Sequence, residues 1–218
     1  MSIHHLVTLP ILLWPILFST GAAALQKNGF DLNDAIIDDS LILSGGPPRD
    51  GIPALDKPQF ITAESVDFLN AEDRVLGVVI EGQAKAYPIN ILNWHELVND
   101  EIGSTSYVVT YCPLCGTGAV FDAEVDGRTL DFGVSGLLYN SDVLLYDRQS
   151  ESLWSQIRGQ SISGPYAGVN LTWLPVTHTS WQRWQQNYPQ SLVLSENTGY
   201  DRDYRRNPYG NYDQSNRS

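Results

Sequence analysis

Short alternating apolar runs, each cut off within a few residues by a glycine- or proline-bearing turn, constrain this chain most. RVLGVVIEGQAKAYPI (residues 74–89) reads strand, Gly82 turn, strand. GAVFDAEVDGRTLDFGV (118–134) repeats the pattern around Gly127 and predicts a second hairpin. TSYVVTY (105–111), SDVLLYDRQ (141–149) and SLVLS (191–195) add further strands. Helical periodicity is confined to short windows. ITAESVDFL (61–69) predicts a short helix with Thr62 as N-cap. TSWQRWQQNYP (179–189) predicts another, capped by Thr179 or Ser180 and stopped by Pro189. In INILNWHELVND (89–100), Ile91, His95 and Val98 fall at helical spacing, with Leu92 on the same face, so His95 points inward. Strands dominate without βαβ alternation. The expectation is a mainly β (α+β) single compact domain of antiparallel hairpins with two or three short helices.

The ends bound this domain. Residues 1–24 carry an apolar run, Leu6 to Phe18, followed by Ala22, Ala23 and Ala24. That is the layout of a secretory signal peptide, although its first residues offer His4 and His5 rather than Lys or Arg. The run is short for a membrane span and contains Pro10 and Pro15. The expected destination is periplasmic or secreted, with no stable membrane insertion once the leader is removed. Residues 25–49 read as an irregular connector ending in SGGPPRDGIP, residues 50–212 as the domain, and residues 213–218 as a tail. All charged side chains lie beyond Ala24, so the net charge of −12 belongs to the mature chain. Such a surface repels nucleic acid and anionic lipid. Another exported protein or a small molecule is the expected partner.

The only two cysteines lie in TYCPLCGTGAVFD (110–122). A disulfide between Cys112 and Cys115 would close a very small loop and constrain little of the unfolded chain. A redox pair of the thioredoxin kind needs a helix after the first cysteine to activate it. Here a glycine-rich turn leads into a strand instead. Cys-x-x-Cys-Gly between two strands is the layout of a metal knuckle. One knuckle supplies two ligands. His95, the histidine expected to point inward, is the candidate third, against the plainer reading of a core histidine hydrogen-bonded to backbone. Glu96 would point about 100° away on a continuing helix. A His95, Cys112 and Cys115 set suits one transition-metal ion, copper or zinc, with an open position for metal transfer or metal-dependent chemistry. A thiol–disulfide oxidoreductase, with Cys112 attacking and Cys115 resolving, is the alternative. A non-catalytic binding module is a third possibility.

FGVSGLLYNSDVLLYDRQSESLWSQ (132–156) gathers further polar groups. Asn140, Asp142, Asp147 and Arg148 are candidates for outer contacts to a metal or for substrate contacts. The plainer reading gives Asn140 and Ser141 turn chemistry and makes Asp147 and Arg148 a surface pair. There is no nucleophile elbow, phosphate loop or dinucleotide fingerprint.

DGIPALDKPQF, AYPINILNWHELVND, VTYCPLCGTGAVFD, FGVSGLLYNSDVLLYDRQSESLWSQ and TGYDRDYRRNPYGNY together resemble the domain of unknown function 3179 family, found mainly in exported prokaryotic proteins. The resemblance runs from about Asp50 to Tyr212. The motif positions it carries over include His95, Cys112, Cys115, Asn140, Ser141, Asp142, Asp147, Arg148, Trp154, Gln156, Arg202, Asp203 and Tyr204. It implies that the histidine and cysteine blocks belong to one design and brings no reaction with it.

Overall fold

A computed structural model describes residues 25–210; the expected leader (1–24) and tail (213–218) lie outside the described residues. The fold is mainly β with two short α-helices, as the alternation predicts. Three sheets carry it. The first runs in the order Gln160–Ser163, Leu153–Ser155, Asp142–Asp147, Phe132–Tyr139, Ile42–Ser44. The second runs Trp173–Leu174, Thr117–Asp122, Thr105–Cys112, Leu97–Ile102. The third runs Val176–Ser180, Arg74–Ile80, Gln83–Pro88, Leu192–Leu194, Phe60–Thr62. Every strand pair in these sheets is antiparallel except Leu192–Leu194 against Gln83–Pro88.

The second sheet is the middle layer, and residue alternation along Thr105–Cys112 explains why. Val108 and Cys112 enter a core shared with Val134, Val143, Leu145 and Trp154 of the first sheet. Tyr107, Val109 and Tyr111 enter the opposite core with Leu76, Val78 and Tyr87 of the third. A strand buried on both faces has no solvent side, so Tyr107, Val108, Val109 and Tyr111 run apolar or aromatic without strict alternation. Each fully buried aliphatic side chain in these layers contributes about 1.5–3 kcal/mol. Contact with the third sheet is close at Gly118, where a Cβ would meet Leu76 at 2.6 Å.

Two-residue turns close the tight hairpins. Asn140 and Ser141 both adopt positive φ, 51° and 62°, between the paired residues Tyr139 and Asp142. That is a type I′ turn, which asparagine tolerates. The helix Ile89–His95 follows Pro88 directly and ends where Glu96 takes φ 59°. Val98, expected on the helical face, therefore lies in the next strand. The helix Trp181–Asn187, with Ser180 at its N-cap position, packs Trp181 and Trp184 on the outer face of the third sheet.

Three expectations are corrected. Residues 61–69 form only one 3₁₀ turn, Ala63–Ser65, because Phe60–Thr62 is recruited as an edge strand by Leu192–Leu194. The Gly127 hairpin holds just two residue pairs, since Phe132–Tyr139 crosses to the first sheet. The 25–49 stretch is not an irregular connector. Ile42–Ser44 pairs with Phe132–Tyr139, and Phe30, Leu32 and Ile42 are buried with Leu137, Leu144 and Tyr146.

Candidate functional site

The strand Thr105–Cys112 delivers Cys112 to one end of the middle sheet, and Thr117, its ladder partner, starts the return strand. Between them Gly116 adopts φ 65° and donates its N–H to the Cys112 carbonyl at 2.8 Å. This closes the knuckle and leaves Cys112 buried and Cys115 exposed. The I′ hairpin of the first sheet points at the same place. Ser141 puts its carbonyl oxygen 3.9 Å from the Cys112 sulfur and 3.8 Å from the Cys115 sulfur. Asp142, 2 % exposed, accepts from Cys115 Sγ at 3.2 Å through Oδ1 and from the Ile157 N–H at 2.9 Å through Oδ2. Both carboxylate oxygens are thus fixed in direction.

Cys112 Sγ, Cys115 Sγ and an Asp142 oxygen all lie within 4.8 Å of one another. A tetrahedral zinc ion, with Zn–S near 2.3 Å and Zn–O near 2.0 Å, needs ligand atoms roughly 3.5–3.8 Å apart. A shift of about an ångström or less in side-chain position meets that requirement. No described Lys or Arg forms an ion pair with Asp142. Two sulfurs, a carboxylate and a carbonyl oxygen therefore converge without a cationic side chain to balance them.

The two thiols differ in character. The Cys112 thiol donates toward Cys115 and is buried, and both effects push its pKa far up. The hydrogen bond from Cys112 pulls the Cys115 pKa below the ordinary thiol value, against the opposing effects of burial and Asp142. Thr117 Oγ1 donates to Cys115 Sγ at 3.5 Å. The same hydroxyl lies 3.0 Å from Gln156 Oε1, whose amide donates to Thr110 Oγ1 at 2.9 Å. The exposed thiol, with the lowered pKa, is Cys115, and the buried one is Cys112.

His95 is not part of this group. Its ring is fully buried. Nδ1 lies 2.9 Å from the Pro53 carbonyl, which can only accept, so Nδ1 carries the proton. Nε2 then accepts from Tyr204 Oη at 2.7 Å. Burial lowers the His95 pKa, against the hydrogen bond to Pro53. With both nitrogens engaged, the ring serves as a core histidine that ties the C-terminal segment to the helix. Its neighbours do the same. Trp94 Nε1 donates to the Arg206 carbonyl at 3.0 Å, and Glu96 Oε1 accepts from Tyr209 Oη at 2.6 Å.

The remaining sequence candidates separate. Asn140 is an exposed turn residue. Asp147 is not a surface residue. It is fully buried and accepts from Trp154 Nε1, Ser150 N–H and Ser150 Oγ at 2.9, 2.6 and 2.7 Å. Arg148 pairs with Asp56 at 2.9 Å instead of Asp147. Asp142 thus moves from outer contact to the thiols' immediate neighbour.

Glu96 and Tyr209 were passed over by sequence reasoning. The helical wheel turned Glu96 away, but the helix stops one residue earlier. Glu96 is 6 % exposed, and burial raises its pKa to about 7 despite the Tyr209 hydrogen bond. Tyr209 is raised by burial and by the charge of Glu96, with a smaller contribution from Cys112.

Comparison with curated proteins and with solved structures gives no match. A family model matches residues 49–218, taking in the knuckle, the Asp142 hairpin, the His95 helix and the C-terminal segment, and the chain belongs to that family, described as Protein of unknown function (DUF3179).

Proposed function

We propose that the protein is an exported metal protein that holds one zinc ion between Cys112 Sγ, Cys115 Sγ and an Asp142 carboxylate oxygen. The convergence of these three ligand atoms carries the reading. Zinc is preferred to copper because a carboxylate replaces the expected imidazole, and zinc accepts mixed sulfur and oxygen donors. Three protein ligands leave a fourth position on the exposed Cys115 side. An open position of that kind lets an ion activate water or polarise a bound small molecule. The leader-like layout of residues 1–24 supports export; mass spectrometry of the purified protein should then find a chain starting after Ala24.

Elemental analysis of protein purified from a zinc-containing medium is expected to give about one equivalent of zinc. Cys115→Ser and Asp142→Ala should each weaken zinc by about a hundredfold or more in a chelator competition. Protein with free thiols and no bound transition metal would sink the reading, as would a Cys112→Ser, Cys115→Ser variant with unchanged metal content.

The lowered Cys115 pKa favours a second reading, thiol–disulfide exchange. Cys115 thiolate would attack a partner disulfide, forming a mixed disulfide and releasing one partner thiol. Cys112 would then displace the second partner thiol and leave a Cys112–Cys115 disulfide. On this reading Cys112→Ser traps a mixed disulfide at Cys115 and Cys115→Ser traps none. Equal trapping by both variants, or by neither, counts against it.

A further inference from the structure

A recess of 290 Å³ opens beside the end of the Ile89–His95 helix. Ile52, Pro53 and Trp94 form one wall, and Arg202, Pro208 and Tyr209 of the C-terminal segment form the other. The volume is at the low end of ligand pockets, which span about 300–1,000 Å³, and suits a fragment-sized molecule. The walls are mostly apolar and offer flat surfaces, an indole, a phenol and three prolines, Pro47, Pro53 and Pro208.

Among the described residues Arg202 is the only charged one lining the recess. Its guanidinium carbon lies 5.7 Å from the centroid of the Trp94 ring. Nη1 donates to the Asp201 carbonyl at 3.2 Å. Among the described residues Arg202 forms no ion pair, in a chain whose net charge is −12. An acidic protein has carboxylates to spare for its few arginines. One held over an aromatic ring at the mouth of an apolar recess is placed to take a carboxylate from elsewhere, since guanidinium matches that group in a two-pronged geometry.

The recess is also built to keep its shape. Its C-terminal wall is pinned by three consecutive residues, through the bonds from Trp94 to Arg206, His95 to Tyr204 and Glu96 to Tyr209. Tyr209 faces the recess and links it to the buried Glu96.

We propose that this recess binds a small aromatic carboxylate, with its ring against Ile52, Pro53 and Trp94 and its carboxylate on Arg202. None of these residues is a zinc ligand in the reading above, so the recess stands or falls without the metal. Tyr209 lines the recess and holds Glu96 through its hydroxyl.

Calorimetric titration of the purified protein with benzoate and with benzyl alcohol tests this. Benzoate is expected to bind saturably at one site, and the uncharged alcohol about tenfold more weakly, as one charge-assisted pair lost implies. Arg202→Ala should lower benzoate affinity by about tenfold, to the level of the alcohol, and leave the alcohol unchanged. Arg202→Lys should restore part of the benzoate preference. Trp94→Ala should weaken both ligands. The metal content of the same samples, measured alongside, reports separately on the zinc site. No saturable heat from benzoate, or equal benzoate affinity with and without Arg202, overturns the proposal.

Discussion

Asp147→Ala is expected to lower the unfolding free energy by about 3–5 kcal/mol while leaving zinc stoichiometry unchanged. The carboxyl is completely buried and receives the indole N–H of Trp154 and both the backbone N–H and hydroxyl of Ser150. Trp154 is itself fully buried, in the core shared by the first and middle sheets. Truncation strips its N–H of a partner in a place water does not reach, and an orphaned buried donor costs about 1–3 kcal/mol. The Ser150 N–H is orphaned with it. The Ser150 hydroxyl is spared, because it can turn to Ser152 Oγ at 2.7 Å. Asp147→Asn keeps one acceptor oxygen and should cost less, about 1–2 kcal/mol. Urea unfolding monitored by tryptophan fluorescence reads both variants. A stable Asp147→Ala protein that has lost its metal would reassign Asp147 to the site.

Asp147 also shows where sequence reading runs out. Its neighbour Arg148 invites a surface pair, and nothing local says that Trp154, seven residues on, turns its indole back across the strand pair to meet the carboxyl. What local periodicity governs was legible: the β class, the strand into Cys112 and the inward direction of His95, with turn chemistry at Asn140 and Ser141 as the plainer reading. What depends on layers meeting was not. Asp142 reaches the thiols because the first sheet's hairpin tip abuts the middle sheet's knuckle, and Cys115 and Asp142 lie 27 positions apart in the sequence. His95 points inward as its spacing says, yet the Pro53 carbonyl and Tyr204 hydroxyl reach it from distant parts of the chain and occupy both nitrogens. The 25–49 stretch failed for a related reason. Its polar, glycine-rich sequence hides three apolar side chains, Phe30, Leu32 and Ile42, that the first sheet needs to cover its outer face.

Glu96→Gln is expected to remove a loss of stability that the native protein suffers between about pH 4.5 and pH 7. Burial raises the folded-state pKa of Glu96 from 4.5 to about 7. The folded protein therefore holds this proton more tightly than the unfolded chain does. The resulting contribution to stability is full below about pH 4.5, where both states are protonated, and is lost as the pH rises through 7. A difference of this size corresponds to about 3 kcal/mol, at about 1.4 kcal/mol per unit. Glutamine keeps a carbonyl oxygen for Tyr209 Oη and has no proton to lose. Relative to the native protein the variant should be nearly equal in stability at pH 4 and about 2–3 kcal/mol more stable at pH 8. Buried His95 is the same in both proteins, so its own titration cancels in the difference. Urea unfolding at a series of pH values, on metal-free protein with reduced thiols, isolates the effect from proton release on metal binding. A variant whose stability follows pH as the native protein's does would place the Glu96 carboxyl in water rather than beneath Tyr209. The expected result instead makes Glu96 a group that the fold tolerates ionised only at a cost.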